Sequence, residues 1–128
     1  MQKDSYILDA NAVLRYLLND DEEQFDIIKS LIQKNKCCTK LEVISEVCYV
    51  LNGVYGLSRN QVINVLKRLC SDINVENDDV LLRALEIFDG VPKLDFVDCL
   101  LYGYSVAKNE NVFTFDKKLD KKIKESKQ

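Results

Sequence analysis

The stretch that decides the fold reads Tyr6-Ile7-Leu8-Asp9-Ala10-Asn11. Its first three residues are apolar and suit a strand. The apolar residues that follow, Ala12, Val13, Leu14, Leu17 and Leu18, recur at helical spacing. The sequence therefore predicts a short strand that passes directly into a helix, with Asp9 at the junction.

Three further short apolar runs are typical of strands, and helical segments separate them. The runs are Cys37-Cys38, Ile73-Asn74-Val75 and Val112-Phe113-Thr114-Phe115. Capping boxes at Thr39–Glu42 and Ser58–Gln61, and acidic residues at Asp21, Asp78 and Asp95, predict where the helices begin. This alternation predicts an α/β fold with a mainly parallel central sheet covered on both faces.

Length and composition predict one soluble domain over residues 1–128. Hydrophobic residues make up 47% and charged residues 30% of the chain, as in ordinary globular proteins. No apolar run approaches the roughly 18 residues of a membrane span, and the N-terminus has no signal-peptide pattern. The five cysteines are odd in number and lack a C-x-x-C spacing, which favours reduced thiols. We therefore expect a cytoplasmic protein with no membrane partner.

The chain contains no histidine. This excludes Ser-His-Asp triads, Cys-His dyads, histidine zinc sites and histidine general bases. Acid–base chemistry would have to come from carboxylates, lysines, tyrosines, cysteines or a metal ion.

Carboxylates occur where packing alone does not require them. Asp9 and Asp116 directly follow apolar strands, Glu46 lies between Val43 and Val50 on a helical stripe, and Asp95 and Asp98 are one turn apart. Sites in parallel sheets form at the carboxyl ends of the strands. Converging carboxylates repel unless a cation neutralises them, and oxygen ligands favour Mg²⁺ or Mn²⁺. Phosphodiester hydrolysis suits such a site.

Each carboxylate also has a purely structural interpretation. Asp9 and Asp95 can cap helices, with Asp98 completing a capping box, and Asp116 can cap the turn after its strand. Glu46 can lie at the rim of the core or pair with a lysine.

The motifs Tyr6–Asn11, Ser45-Glu46-Val47, Asp95–Leu101 and Phe113–Asp116 occur in an order that resembles the PIN-domain ribonucleases. The similarity is greatest to the VapC-type toxins of toxin–antitoxin pairs, and it extends from about Tyr6 to Leu119. The segment Val54-Tyr55-Gly56-Leu57-Ser58 also resembles that family.

The resemblance implies a three-layer α/β/α sandwich and a metal-dependent endoribonuclease. It assigns Asp9, Glu46, Asp98 and Asp116 as catalytic ligands of Mg²⁺ or Mn²⁺. Asn11 would orient Asp9, and Asp95 would have a supporting or capping role. It also implies an RNA substrate, a homodimer and an antitoxin partner whose tail enters the acidic groove.

Two features depart from the family pattern. Ala10 stands where the family often has Thr or Ser, which removes a hydroxyl near the metal. The family commonly has a last strand after the fourth acid, and here we expect that strand to be short or missing.

The C-terminal residues form a basic tail at about 117–128. It carries six lysines against Asp120 and Glu125, a balance of +4 in a chain whose net charge is −3. One interpretation is a solvated helix end or disordered tail. The other is contact with RNA phosphates through Lys117, Lys118 and Lys121. Tyr102 and Tyr104 could stack on unpaired bases, although helical spacing favours core packing for at least one of them.

Two other functions compete with the nuclease. An aspartyl-phosphate phosphatase usually needs two aspartates separated by one residue, and Asp9-Ala10-Asn11 supplies one. A degenerate PIN fold could bind RNA or protein without cutting, and Ala10 leaves that alternative open.

Overall fold

The computed structural model describes residues 4–128. Met1, Gln2 and Lys3, on which the expectation of no signal peptide partly rests, lie outside the described residues. Contacts divide the chain into two compact units, one ending at Glu76 and the other spanning Asn77–Gln128. The single domain expected over residues 1–128 stays a prediction.

The first unit contains the strands and four of the helices found in residues 4–128. The strands are β1 (Ser5–Ile7), β2 (Lys36–Thr39) and β3 (Asn74–Val75). The helices are α1 (Ala10–Leu18), α2 (Glu22–Lys34), α3 (Leu41–Tyr49) and α4 (Arg59–Asp72), with a π-helical turn (Val50–Val54) after α3. The second unit contains α5 (Asp78–Phe88), α6 (Phe96–Lys108) and α7 (Lys117–Ser126).

The sheet is parallel, with strand order β1-β2-β3. Tyr6 is paired with Cys37 and Cys38 with Asn74. Parallel neighbours need a crossover, and here α1–α2 and α3–α4 supply the two crossovers. The predicted α/β class with a parallel sheet is thereby confirmed.

Fully buried aliphatic side chains fill the core of the first unit. They come from the helices and from the sheet, and include Val13, Ile44, Val47, Leu51, Val62, Leu66 and Val75. Burial of this apolar surface is the main force that holds the helices against the sheet.

Of the capping boxes predicted at Ser58–Gln61 and Thr39–Glu42, the first is confirmed and the second is wrong. The Ser58 hydroxyl accepts from the Gln61 N–H, and the Gln61 side chain accepts from the Ser58 N–H. Thr39, by contrast, is the last residue of β2, and Lys40 precedes α3 without a side-chain cap. The buried Thr39 hydroxyl instead donates to the Leu8 carbonyl at 3.0 Å, a bond that joins the ends of β1 and β2.

The predicted fourth strand, Val112–Phe115, is also wrong. Residues 109–115 form neither helix nor strand. A β-branched and aromatic run has strand propensity, but it becomes a strand only when a neighbour completes its hydrogen bonds. Beyond Asp116 the chain forms α7, so the expected absence of a last strand is confirmed up to Ser126.

The basic tail is helical rather than disordered. Leu119 and Ile123 of α7 are buried, while its lysines lie on the other faces. No helix within residues 4–128 has both the length and the apolar character that crossing a bilayer requires.

Helices α5 and α6 pack closely at a glycine. A Cβ atom placed on Gly103 of α6 would collide with the carbonyl oxygen of Val80 in α5. The Val80 oxygen belongs to the backbone of α5, which cannot move as a side chain can.

We expect Gly103→Ala to destabilise the protein by about 1–3 kcal/mol or more, because the added methyl group overpacks this contact. Gly53→Ala is the matched control, since its nearest neighbour would be Tyr49 Cε2 at 3.9 Å. That change should shift stability by under about 1 kcal/mol. Urea unfolding measures both, and equal stability of the two variants would contradict the close packing.

Tyr16 links α1 to α4. Its hydroxyl donates to Asp72 Oδ2 at 2.7 Å, and its ring stacks on Phe25 with centroids 5.9 Å apart. Burial, followed by the hydrogen bond and charge of Asp72, raises the pKa of Tyr16 to about 12, against a smaller lowering by Arg68.

We expect Asp72→Asn to lower the pKa of Tyr16 towards the ordinary value of about 10. Because the folded-state pKa is the higher one, Tyr16 contributes stability below about pH 10 and loses it as the pH rises towards about 12. NMR titration of ¹³C-labelled tyrosine measures the shift. Asp26→Asn, an exposed carboxylate on α2, is the control. An unchanged Tyr16 titration in the Asp72 variant would refute the link.

Candidate active site

Asp9 lies at the carboxyl edge of the sheet, between β1 and α1. Its backbone is extended, and its Oδ1 accepts from the Ala12 N–H at 2.8 Å. The residue is exposed, and Ala10 behind it is buried. The capping interpretation of Asp9 is therefore confirmed, and the cap holds a carboxylate at the edge where sites form in parallel sheets.

Sequence reasoning missed an ion pair at the same edge. Lys40 directly follows β2 and Glu76 directly follows β3, and Lys40 Nζ lies 2.6 Å from Glu76 Oε2. The hydrogen bond and charge of Glu76 raise the pKa of Lys40. The sequence contained a signal for this pair, because both residues follow a strand, as Asp9 follows β1.

Glu46 does not share the buried face of its helix. The buried residues of α3 are Leu41, Ile44, Val47 and Cys48, and Glu46 is exposed. Its neighbours on the helical stripe, Val43 and Val50, are half-buried, so this stripe lies at the border of the buried face. Glu46 is thus open to solvent and to a ligand.

Asn11 is exposed, and no hydrogen bond in the described part of the chain connects it to Asp9. Its orienting role stays a prediction.

In the second unit, Asp95 and Asp98 form a reciprocal capping box at the start of α6. The Asp98 N–H donates to Asp95 Oδ1 at 2.8 Å, and the Asp95 N–H donates to Asp98 Oδ2 at 3.3 Å. The expected capping role of Asp95 is confirmed, and it fixes Asp98 one turn into the helix.

Asp116 caps α7 and belongs to the same electrostatic neighbourhood. Its Oδ1 accepts from Lys118 N–H at 2.9 Å and Leu119 N–H at 3.1 Å. Burial raises the pKa of the Asp98 carboxyl, the charge of Asp95 raises it further, and Asp116 adds a smaller effect. Within this unit the negative charges of Asp95 and Asp116 therefore both act on Asp98.

The helix caps occupy only one oxygen of the Asp9 and Asp116 carboxylates. Among the described residues, Oδ2 of Asp9 and Oδ2 of Asp116 accept no hydrogen bond and form no ion pair. Each cap fixes the side chain through one oxygen and leaves the other available to a ligand.

The lysines of α7 line two adjoining surfaces, and they divide into those that form ion pairs and those that do not. Lys118 and Lys121 line a cavity of about 250 Å³ with Lys93 and Lys122, where Glu125 is the one acidic lining residue. Lys117 lies on a neighbouring surface with Lys121 and Lys124. Lys124 pairs with Asp120 and Lys122 with Glu125, whereas Lys117, Lys118 and Lys121 form no ion pair within residues 4–128.

The aromatic residues named as stacking candidates are not the accessible ones. Tyr102 is buried in α6, as expected for at least one of the two, and Tyr104 is half-buried. The exposed aromatic side chains of this unit are Phe113 and Phe115. The predicted strand at Val112–Phe115 implied that these rings pack against a neighbour, because strand residues usually have a packed face.

The donor set suits a hard divalent cation, since it consists of carboxylate oxygens with no histidine. The mutual repulsion around Asp98 is of the kind that a cation relieves. Within the described residues, no group of three or more acidic or thiol side chains has the arrangement of a metal site.

The chain belongs to the PIN domain family, whose pattern matches residues 6–125. Proteins with this domain are generally nucleases, and such nucleases usually use divalent metals. The searches of curated proteins and of solved structures found no match.

We expect Asp116→Ala to destabilise the protein by about 0.5–2 kcal/mol through loss of the cap on α7. Asp116→Asn should cost much less, because its amide oxygen can still accept the two N–H bonds. Urea unfolding and hydrogen exchange of the α7 amides measure the difference. Equal losses in both variants would contradict the capping role, and the comparison identifies asparagine as the substitution that separates charge from structure.

Proposed function

We propose that the protein is a metal-dependent endoribonuclease that hydrolyses RNA phosphodiester bonds. Membership of the PIN family supports the nuclease class. The observation that carries the proposal is the set of aspartates held by helix caps with a second oxygen available, at Asp9 and Asp116. RNA is the substrate that the resemblance to PIN-domain ribonucleases favours.

We assign Asp9, Glu46, Asp98 and Asp116 as the residues that would hold Mg²⁺ or Mn²⁺. Such an ion, when bound, neutralises phosphate charge and lowers the pKa of a bound water. The caps keep the Asp9 and Asp116 side chains in fixed rotamers, so that little conformational entropy is lost when a ligand binds. Asp95 positions Asp98 through the capping box.

Lysines of α7 would hold the RNA backbone. Lys118 and Lys121 line the cavity that also contains Lys93, and neither forms an ion pair within the described residues. Such contacts to phosphate give salt-sensitive, sequence-independent affinity. The same proposal places Lys117 on the RNA-facing surface.

We further propose that the protein is the toxin of a VapBC-type pair, acts as a homodimer and is inhibited by an antitoxin. The ordered motifs from Tyr6 to Leu119 support this assignment. Coexpression with a short neighbouring gene should restore growth that the toxin alone arrests.

Asp98→Asn and Asp116→Asn should each reduce Mg²⁺- or Mn²⁺-dependent cleavage of single-stranded RNA by at least about 100-fold, the scale of a lost catalytic group. Folding should be preserved, because asparagine keeps the caps. Asp120→Asn is the matched control, since Asp120 is a carboxylate on α7 that pairs with Lys124. It should cleave at the native rate. Chelation of the metal should abolish activity in every form.

Undiminished cleavage by the Asp98 and Asp116 variants, with contaminating nuclease excluded, would refute the assignment. Calorimetry separates the binding-module alternative. A native protein that binds RNA but neither binds Mn²⁺ nor cleaves RNA would be a degenerate PIN fold.

A further inference from the structure

We propose that Phe113 and Phe115, named here the phenyl pair, form a platform on which unpaired bases of the RNA substrate stack. This inference rests on the proposed function, and it adds how that site would hold a single strand. It makes the phenyl pair positioning residues that act on substrate binding.

The phenyl pair is exposed far beyond what apolar side chains normally show. Phe113 is 85% and Phe115 is 90% accessible to solvent. Burying a phenylalanine side chain stabilises a protein, because its apolar surface is removed from water. Two adjacent rings that stay exposed do not contribute this stabilisation to the fold. Exposed apolar surface of this kind marks interaction sites, and we therefore assign segment 110–115 as a binding element.

The segment that carries the rings is fixed at both ends, although it has no regular secondary structure. Asn109 ends α6 in the left-handed region, with φ of 55° and its N–H bonded to the Tyr104 carbonyl. At the other end, the Asp116 N–H donates to Thr114 Oγ1 at 2.9 Å. The ring centroids lie 5.2 Å apart at 83°, an edge-to-face contact. Such a pair leaves ring faces open to stack on planar ligands.

The surrounding charges favour a nucleic acid as the occupant. Phe115 is followed by Asp116 and then by Lys117 and Lys118, two exposed cations without an ion pair among the described residues. Aromatic rings that accept bases, next to cations that accept phosphates, are the two components of single-strand binding surfaces.

The shape of the patch argues against a protein partner. Val112 and Thr114, which alternate with the rings, are half-buried. The exposed apolar surface of this segment is therefore the two rings alone, whereas a stable protein interface buries about 800 Å² on each partner.

The phenyl pair also adjoins the proposed reaction centre. Phe115 directly precedes Asp116, whose charge acts on Asp98. A base stacked here would hold the strand beside the carboxylates proposed to bind the metal. Duplex RNA, whose bases are already stacked on each other, would gain nothing from the platform.

Fluorescence of a tryptophan introduced at position 115 tests stacking without any cleavage. The chain has no native tryptophan, so Phe115→Trp gives a single reporter. The measurement uses the full chain carrying Asp98→Asn, in chelator, with single-stranded oligouridylate of about ten nucleotides. We expect quenching by this RNA, and none by a duplex of equal length or by an abasic strand.

Leu82→Trp in the same background is the matched control, because Leu82 is an exposed apolar residue of α5 in the same unit. It should not be quenched. Quenching of both reporters, or of neither, would overturn the platform.

Steady-state kinetics give the second readout. The double change Phe113→Leu and Phe115→Leu keeps apolar volume but removes the ring faces. It should raise KM for single-stranded RNA about fivefold or more per ring, the lower end of what one stacked base contributes. The kcat should stay within about twofold, as expected for a loss of uniform binding. Phe115→Tyr should retain the native KM.

The two proposals fail in distinguishable ways. If the Phe115→Trp reporter is quenched by single-stranded RNA but the native protein does not cleave RNA, the nuclease is refuted and the platform is kept. Native kcat and KM in the leucine variant would overturn the platform and keep the nuclease. Sedimentation supplies a third outcome, because loss of a dimer in the leucine variant with unchanged RNA affinity would assign the rings to a protein interface and overturn the proposal.

Discussion

Helix capping by aspartate is the interaction on which the candidate site depends. Asp9, Asp95 and Asp116 each accept an N–H from the first turn of the helix that they precede. These caps satisfy backbone donors that would otherwise lack partners. They also place negative charge at the positive end of the helix dipole, which stabilises the helix. A capping role and the proposed ligand role can thus belong to the same side chain, so the structural and catalytic interpretations of these residues do not compete.

Asp98 shows how this arrangement sets the electrostatics of the second unit. The capping box that stabilises α6 also holds Asp98 against Asp95, and Asp116 adds its charge. Fixed carboxylates close together have a higher energy than separate ones, and bound cations lower it. The lysines of α7 begin directly after Asp116, so the same short segment carries groups that suit a metal ion and groups that suit phosphate.

The sequence was most informative where one local signal determines one local structure. The Ser58 and Asp95 caps, the start of α5 and the three parallel strands follow from spacing and side-chain chemistry. Prediction failed where a partner distant in sequence decides. Thr39 looks like a helix cap, but the Leu8 carbonyl takes its hydroxyl. Val112–Phe115 has strand propensity, but among the described residues no neighbouring strand completes its hydrogen bonds. The exposure of Glu46 depends on which face of α3 packs against the core. Asp9 was found from its position after a strand, whereas Lys40 and Glu76 follow β2 and β3 in the same way and their ion pair was missed.

The order of the sheet has a consequence for the behaviour of the chain at high concentration. Among the described residues, β1 has a ladder partner on one side only, so within the first unit it is an edge strand. Such edges can template intermolecular pairing and aggregation. With three residues, β1 offers a very short template, and the neighbouring charge of Asp4 further discourages a second strand from adding to it.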